Sequence, residues 1–103
     1  MDTPAYRTAE TRDIPALATL RSSEWGEQPY WETRIAGYMS GEHNPQHALA
    51  PRTVIVAEIG GTIVGFIAGH LTRRYDCDGE LEWINVLPGH RGQGIPAELL
   101  KNL

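Results

Sequence analysis

The sequence predicts a mixed α/β domain of the α+β type, and three observations predict it. Two β-branched runs, residues 53–59 and 62–69, flank Gly60-Gly61. Both central positions of a two-residue hairpin turn need positive φ, which glycine adopts without strain. Apolar residues recur at helical spacing through residues 14–20 and again through 31–39. A third strand-like run, residues 80–87, leads into a glycine-rich turn and a helix start.

Taken in order, residues 5–9 alternate weakly, with Tyr6 and Thr8 on one side, and read as a short first strand. Asp13 before Ile14-Pro15 marks a helix start, because an Asp side chain caps free N–H groups and proline in the first turn has no bonded donor to lose. Ile14, Leu17, Ala18 and Leu20 supply its apolar face, and Gly26 ends the pattern just after Trp25. Gln28-Pro29 opens a second helix with Trp31, Ile35, Tyr38 and Met39 on one face, stopped at Ser40-Gly41. Residues 41–52, with Asn44-Pro45 and Pro51, read as a surface loop. His43 and His47 stand at the i,i+4 spacing that holds a metal on a helix, but Asn44-Pro45 between them opposes that helix, so no metal is expected.

The hairpin follows, and Gly65 inside its second strand signals a bulge or a close backbone approach. Residues 73–79 are a polar turn. Period-two alternation through residues 80–87 puts Glu80, Glu82, Ile84 and Val86 on one face, and Leu81, Trp83, Asn85 and Leu87 on the other. A helix then begins at Ala97.

Composition bounds the function. The chain has 103 residues, 41% hydrophobic and 21% charged, with a net charge of −4. One domain spanning residues 1–103 is expected. An acidic balance offers no basic footprint for nucleic acid. No apolar run approaches the ~18 residues of a membrane span, and the first residues lack a secretory leader. The single Cys77 cannot close an internal disulfide, which suits a reducing, cytoplasmic setting.

The chemistry sits in residues 86–100, which run strand, glycine-rich turn, helix N-terminus. Gly92 and Gly94 carry no Cβ to keep an anion away, the first helical N–H groups lack partners, and Arg91 adds a positive charge. Phosphate or pyrophosphate suits this arrangement. A P-loop would need Lys-Ser or Lys-Thr after Gly94, and none follows. Residues 92–97 fit the loose dinucleotide pattern G-x-G-x-x-G/A, yet that unit needs a further strand and an acid about 20 residues on. Too few residues follow Ala97 for either.

Arg91-Gly92-Gln93-Gly94 resembles the acyl-CoA pyrophosphate loop, Q/R-x-x-G-x-G/A, of the GNAT superfamily of N-acetyltransferases. The helix start at Thr11-Arg12-Asp13, the hairpin with Val64-Gly65-Phe66, and the strand leading to Pro88 follow that family's order, over roughly residues 4 to 103. The resemblance implies a GNAT-like fold with acetyl-CoA as co-substrate and direct acetyl transfer to a small-molecule or peptide amine. It implies CoA contacts at Val86, Leu87, Arg91, Gly92, Gln93, Gly94, Ile95 and Ala97, with backbone N–H groups of Val86 and Leu87 on the thioester carbonyl. A base is implied at Glu80, with Glu82 the neighbouring alternative; both acids also fit a solvated strand face. Trp25, Tyr30 and Trp31 fall where the family's acceptor enters, and equally suit helix packing.

Two departures stand out. Pro96 replaces the family's Gly or Ala, removing one donor and biasing Ile95 away from helical angles. The chain also stops inside the helix after the fourth strand, so a truncated fold, completed by missing residues or a second copy, is expected. An open sheet edge recruits other chains, which makes a homodimer through that edge or the last helix the expectation. A non-catalytic CoA-binding or dimerisation module is the alternative.

Overall fold

A four-stranded antiparallel sheet, in the order β1-β2-β3-β4, carries helices on both faces of the computed structural model, which describes residues 3–40, 49–71, 79–90 and 94–102. The strands are β1 (Ala5–Thr8), β2 (Leu49–Ile59), β3 (Thr62–Leu71) and β4 (Gly79–Val86). The helices are α1 (Ile14–Ser22), α2 (Gln28–Ser40) and α3 (Ile95–Asn102). Readings placed on His43, His47 and Cys77 fall outside the described residues. No described helix is long and apolar enough to cross a membrane.

Each face of the sheet has its own core. Leu17, Ala18 and Leu20 of α1, with Trp31, Ile35 and Tyr38 of α2, pack on Val54, Val56, Phe66, Ala68 and Trp83. On the opposite face, Ile95 and Leu99 of α3 close over Ile55, Ala57, Val64, Ile67 and Val86. Because β2 and β3 are covered from both sides, apolar residues are favoured at every position, and their sequences run continuously apolar rather than alternating. The β2–β3 turn uses Gly60 and Gly61 at φ 56° and 83°, as the hairpin reading requires.

β2 begins at Leu49, four residues before the strand expected from the β-branched run. Leu49 pairs with Leu71 and Arg52 with His70, so Ala50 and Pro51 fall in a register shift. A proline without an N–H cannot serve the ladder, and the shift carries it past.

Asp13 does not cap α1. It lies in helical geometry at φ −85°, ψ −13°, within a short 3-10 turn (Thr11–Asp13), whereas Glu10 is the extended residue that opens that turn. A capping residue must be extended, so the Asp13 carboxylate turns back instead. It accepts the Glu10 N–H at 2.7 Å and both Arg7 terminal nitrogens at 2.8 and 3.0 Å. Glu58 of β2 joins Arg7 at 3.4 Å, tying β1, β2 and the start of α1 together. The Arg7 hydrogen bonds hold the Asp13 carboxyl below its ordinary 3.8, against the opposing effect of burial. A carboxylate depressed on folding stabilises fully above its unfolded pKa, and that contribution vanishes as pH falls through the folded value. Urea midpoints of the wild type are therefore expected to fall below pH 4 more steeply than those of Asp13→Asn. Parallel pH profiles for the two proteins would refute this coupling.

Candidate active site

Two bulges shape the strand end on which the site is built. In β3, Ala57 pairs with Gly65 and Glu58 with Ile63, leaving Val64 as the extra residue. In β4, Trp83 pairs with Ala68 and Leu81 with Gly69, leaving Glu82 as the extra residue. The expected bulge or close approach at Gly65 is both. A Cβ there would lie 3.0 Å from the Asn85 carbonyl oxygen, 3.1 Å from Val86 Cγ2 and 3.5 Å from Ile95 Cγ2. Glycine thus lets β4 and the first turn of α3 close onto β3.

The bulged Val64 carbonyl accepts the Leu87 N–H at 2.8 Å. Leu87 therefore spends its donor inside the sheet and cannot hold a thioester carbonyl, contrary to the sequence reading. Antiparallel alternation turns the neighbouring Val86 N–H to the side of β4 away from β3. The Leu87 side chain packs against both cores.

The helix after the turn starts earlier than expected, at Ile95 rather than Ala97. Gly94, at φ 74°, presents the first carbonyl, which accepts the Glu98 N–H at 3.2 Å. Ile95 takes helical geometry despite the following proline because its fully buried side chain, with Leu99, anchors α3 on the sheet. Pro96 is then the second helical residue, where an N–H has no intrahelical partner to lose. The N–H groups of Ile95 and Ala97 lie ahead of the first helical hydrogen bond, at the positive end of the helix dipole. Arg91, Gly92 and Gln93 lie outside the described residues.

A cavity of about 370 Å³ lies against β4, lined by Glu24, Ile84, Asn85, Val86 and Pro96. It spans from the α1–α2 connection, past the strand, to the first turn of α3. Beside it stands an aromatic and cationic cluster. Trp25 is 57% exposed and Tyr30 40%, whereas Trp31 is 1% exposed and belongs to the core. Trp31 is thus corrected from acceptor contact to support. Its Nε1–H donates to the Trp25 carbonyl at 2.7 Å, and its ring meets Trp25, Tyr30 and Trp83 edge-on.

Arg21 of α1 lies over Trp31, 4.4 Å from the ring centroid, and donates to Asn85 Oδ1 at 2.8 Å. Burial pushes its guanidinium below the ordinary value, opposed by attraction to Glu24 and Glu82 and reinforced by repulsion from Arg34. Glu82 is half-buried on its bulge, within electrostatic reach of that cation. Glu80 stands in register with His70, and the bulge breaks the alternation that grouped it with Ile84 and Val86. The bulge thus takes Glu80 off the face shared by Ile84 and Val86, because an extra residue shifts the pleat by one.

Sequence reasoning missed Arg21, Glu24 and Asn85. An arginine and a glutamate near a helix end look like ordinary solvent-facing charges, so neither had a signal. Asn85 did have one, as a polar residue between Ile84 and Val86 on a strand face otherwise bound for the core.

The whole arrangement has relatives. The acetyltransferase (GNAT) family model matches residues 10–103. No curated protein matches the chain at the level of sequence. Among solved structures, an aminoglycoside antibiotic 6'-N-acetyltransferase from Acinetobacter haemolyticus superposes with a TM-score of 0.76 at 15% identity, covering 95% of this chain and 67% of that one. A putative acetyltransferase from Salmonella typhimurium, solved with acetyl-CoA, gives 0.72 at 22% identity over 98% of this chain and 61% of that one. The ribosomal-protein-alanine N-acetyltransferase from Brucella melitensis gives 0.65 at 19% identity over 97% and 68%. The chain thus spans roughly two thirds of these proteins' lengths. The family model covers nearly the full extent of the chain, and this chain belongs to the GNAT acetyltransferase family.

Proposed function

We propose that the protein transfers an acetyl group from acetyl-CoA to an amine by direct attack. The observation that carries this reading is the cavity joining the α1–α2 connection, β4 and the N-terminus of α3. The pyrophosphate of CoA would rest on Arg91, Gly92, Gln93 and Gly94 and on the Ile95 and Ala97 N–H groups, where the helix dipole favours an anion. The thioester carbonyl would take the Val86 N–H, which stabilises the oxyanion as it forms. An ammonium acceptor gives one proton to Glu82, directly or through water, with Glu80 the alternative base. Its nitrogen then bonds the acetyl carbon, the carbon–sulfur bond breaks, and the second amine proton leaves with the departing sulfur. Trp25 and Tyr30 would face the acceptor. Amines of the kinds borne by aminoglycosides and ribosomal proteins, named in the solved relatives, are the first to try.

Calorimetric titration with CoA, followed by thiol release over an amine panel, tests the reading. Binding and turnover are expected, with Arg91→Ala weakening CoA by about 10-fold through loss of a charge-assisted phosphate contact. Binding without turnover would favour a CoA-binding module, a reading helped by the donor that Pro96 removes. No binding would overturn both. The reading extends to a cytoplasmic protein acting as a homodimer. A second copy would pair along β4, whose Leu81 is exposed, or against Leu100 of α3. Light scattering across a concentration series is expected to show the dimer, and a monomer throughout would remove it.

A further inference from the structure

Asn85 sits in an apolar stretch of β4 and is only 7% exposed. Arg21 Nη1 donates to its Oδ1 at 2.8 Å. A guanidinium has donors and no acceptor, so the amide oxygen must face Arg21 and the NH2 group is turned away from it. The anchor is itself held in place, stacked over Trp31 at 4.4 Å from its ring centroid and 6.0 Å from that of Trp83. Among the described residues no side chain or carbonyl accepts from the Asn85 NH2, and Nδ2 is not one of the sealed side-chain atoms. The group thus keeps access to solvent, and Asn85 lines the cavity whose wall also carries Glu24. A nearly buried amide donor, fixed from behind on a residue that lines a cavity, can give its hydrogen bond to water in the free protein or to a ligand oxygen that displaces that water.

We infer that Asn85 is a specificity donor for the acceptor: its Nδ2–H takes an oxygen two or three bonds from the reacting amine. Glu24 on the same wall attracts the ammonium, and Arg21 acts as a positioning residue that sets the direction of the amide. The inference rests on the acetyl-transfer reading above. The substrate class is an amine with a neighbouring carbonyl or hydroxyl oxygen, as in a peptide α-amine or an amino sugar, in preference to a plain alkylamine. A site built to hydrogen-bond an oxygen discriminates strongly against the analogue that lacks one, because its own donor is then left unpaired.

Thiol release is measured with alaninamide, glucosamine and butylamine, on the wild type, Asn85→Ala and Asn85→Asp. The aspartate keeps the contact with Arg21 but has no N–H to offer. Both variants are expected to lose about 10–100-fold in kcat/KM on the oxygen-bearing amines and less than about threefold on butylamine. Arg21→Met should lose the same preference through KM, and Arg21→Lys, which can still donate to Oδ1, should recover part of it. The oxygen-bearing amine that loses more identifies the source. Equal losses on all three amines, or a preference kept by Asn85→Asp, would overturn the inference. Titrating 15N-labelled protein gives a readout independent of turnover. The Asn85 side-chain NH2 resonances should move with alaninamide or glucosamine and stay fixed with butylamine. Movement without turnover upholds the recognition and sinks the transfer reading; no movement sinks the recognition.

Discussion

Replacing Trp31 with alanine is expected to cost about 3–5 kcal/mol of stability, the range for deleting a buried aromatic side chain. Trp31 fills the space between α2 and β4 and touches three other aromatic rings. Its loss would also take the indole donor from the Trp25 carbonyl and leave the Arg21 cation without the face on which it lies. For a domain of this size, a loss of that magnitude lowers the thermal midpoint by roughly 15–25 °C. Trp31→Phe keeps most of the apolar volume and should lose about 1–2 kcal/mol. Urea unfolding of both variants reads the effect directly. A Trp31→Ala penalty under about 1 kcal/mol would mean that the α1–α2 connection packs without this residue. The same variant should blunt acetyl transfer at temperatures where it remains folded, because Trp25 and Arg21 lose their support.

The largest expected effect on chemistry follows Glu82→Gln, which should reduce kcat by about 10²–10⁴-fold while leaving CoA affinity unchanged. Glutamine matches the acid in shape and hydrogen-bonding reach but cannot accept the amine proton. The bulge at Glu82 gives the position a geometry distinct from the rest of the strand, and Arg21 lies within its electrostatic reach. Raising the pH should recover part of the lost rate, since a larger fraction of the acceptor is already deprotonated. Glu80→Gln is expected to stay within about threefold of the wild type. The reverse result would transfer the base to Glu80 and show that the register with His70, rather than the bulge, brings an acid to the acceptor.

Several features of the site were legible in the residues themselves. Gly60-Gly61 between β-branched runs allowed one turn, and Gly65 announced both the bulge beside it and the tight contact with β4. The run from Val86 to Leu100 announced a strand end and a helix N-terminus, because glycine, proline and a buried Ile–Leu pair leave little local choice. Local reading failed where a tertiary contact made the decision. The Asp13 carboxylate looks like a cap until Arg7 is placed beside it. Leu87 looks like an oxyanion donor until the bulged Val64 carbonyl claims its N–H. Pro96 looks like a helix delay until burial of Ile95 outweighs the steric bias before proline.

What the sequence determined alone is the set of elements, their order and the family to which they belong, since turn chemistry and hydrophobic period are local properties carried by adjacent residues. What only the tertiary structure decided is which polar groups meet, Arg21 with Asn85 and Val64 with Leu87, and that Glu82 stands on a bulge. Those pairings depend on strand register, which a single inserted residue resets, and on contacts between elements as much as 64 positions apart. Spacing along the chain carries no information about either.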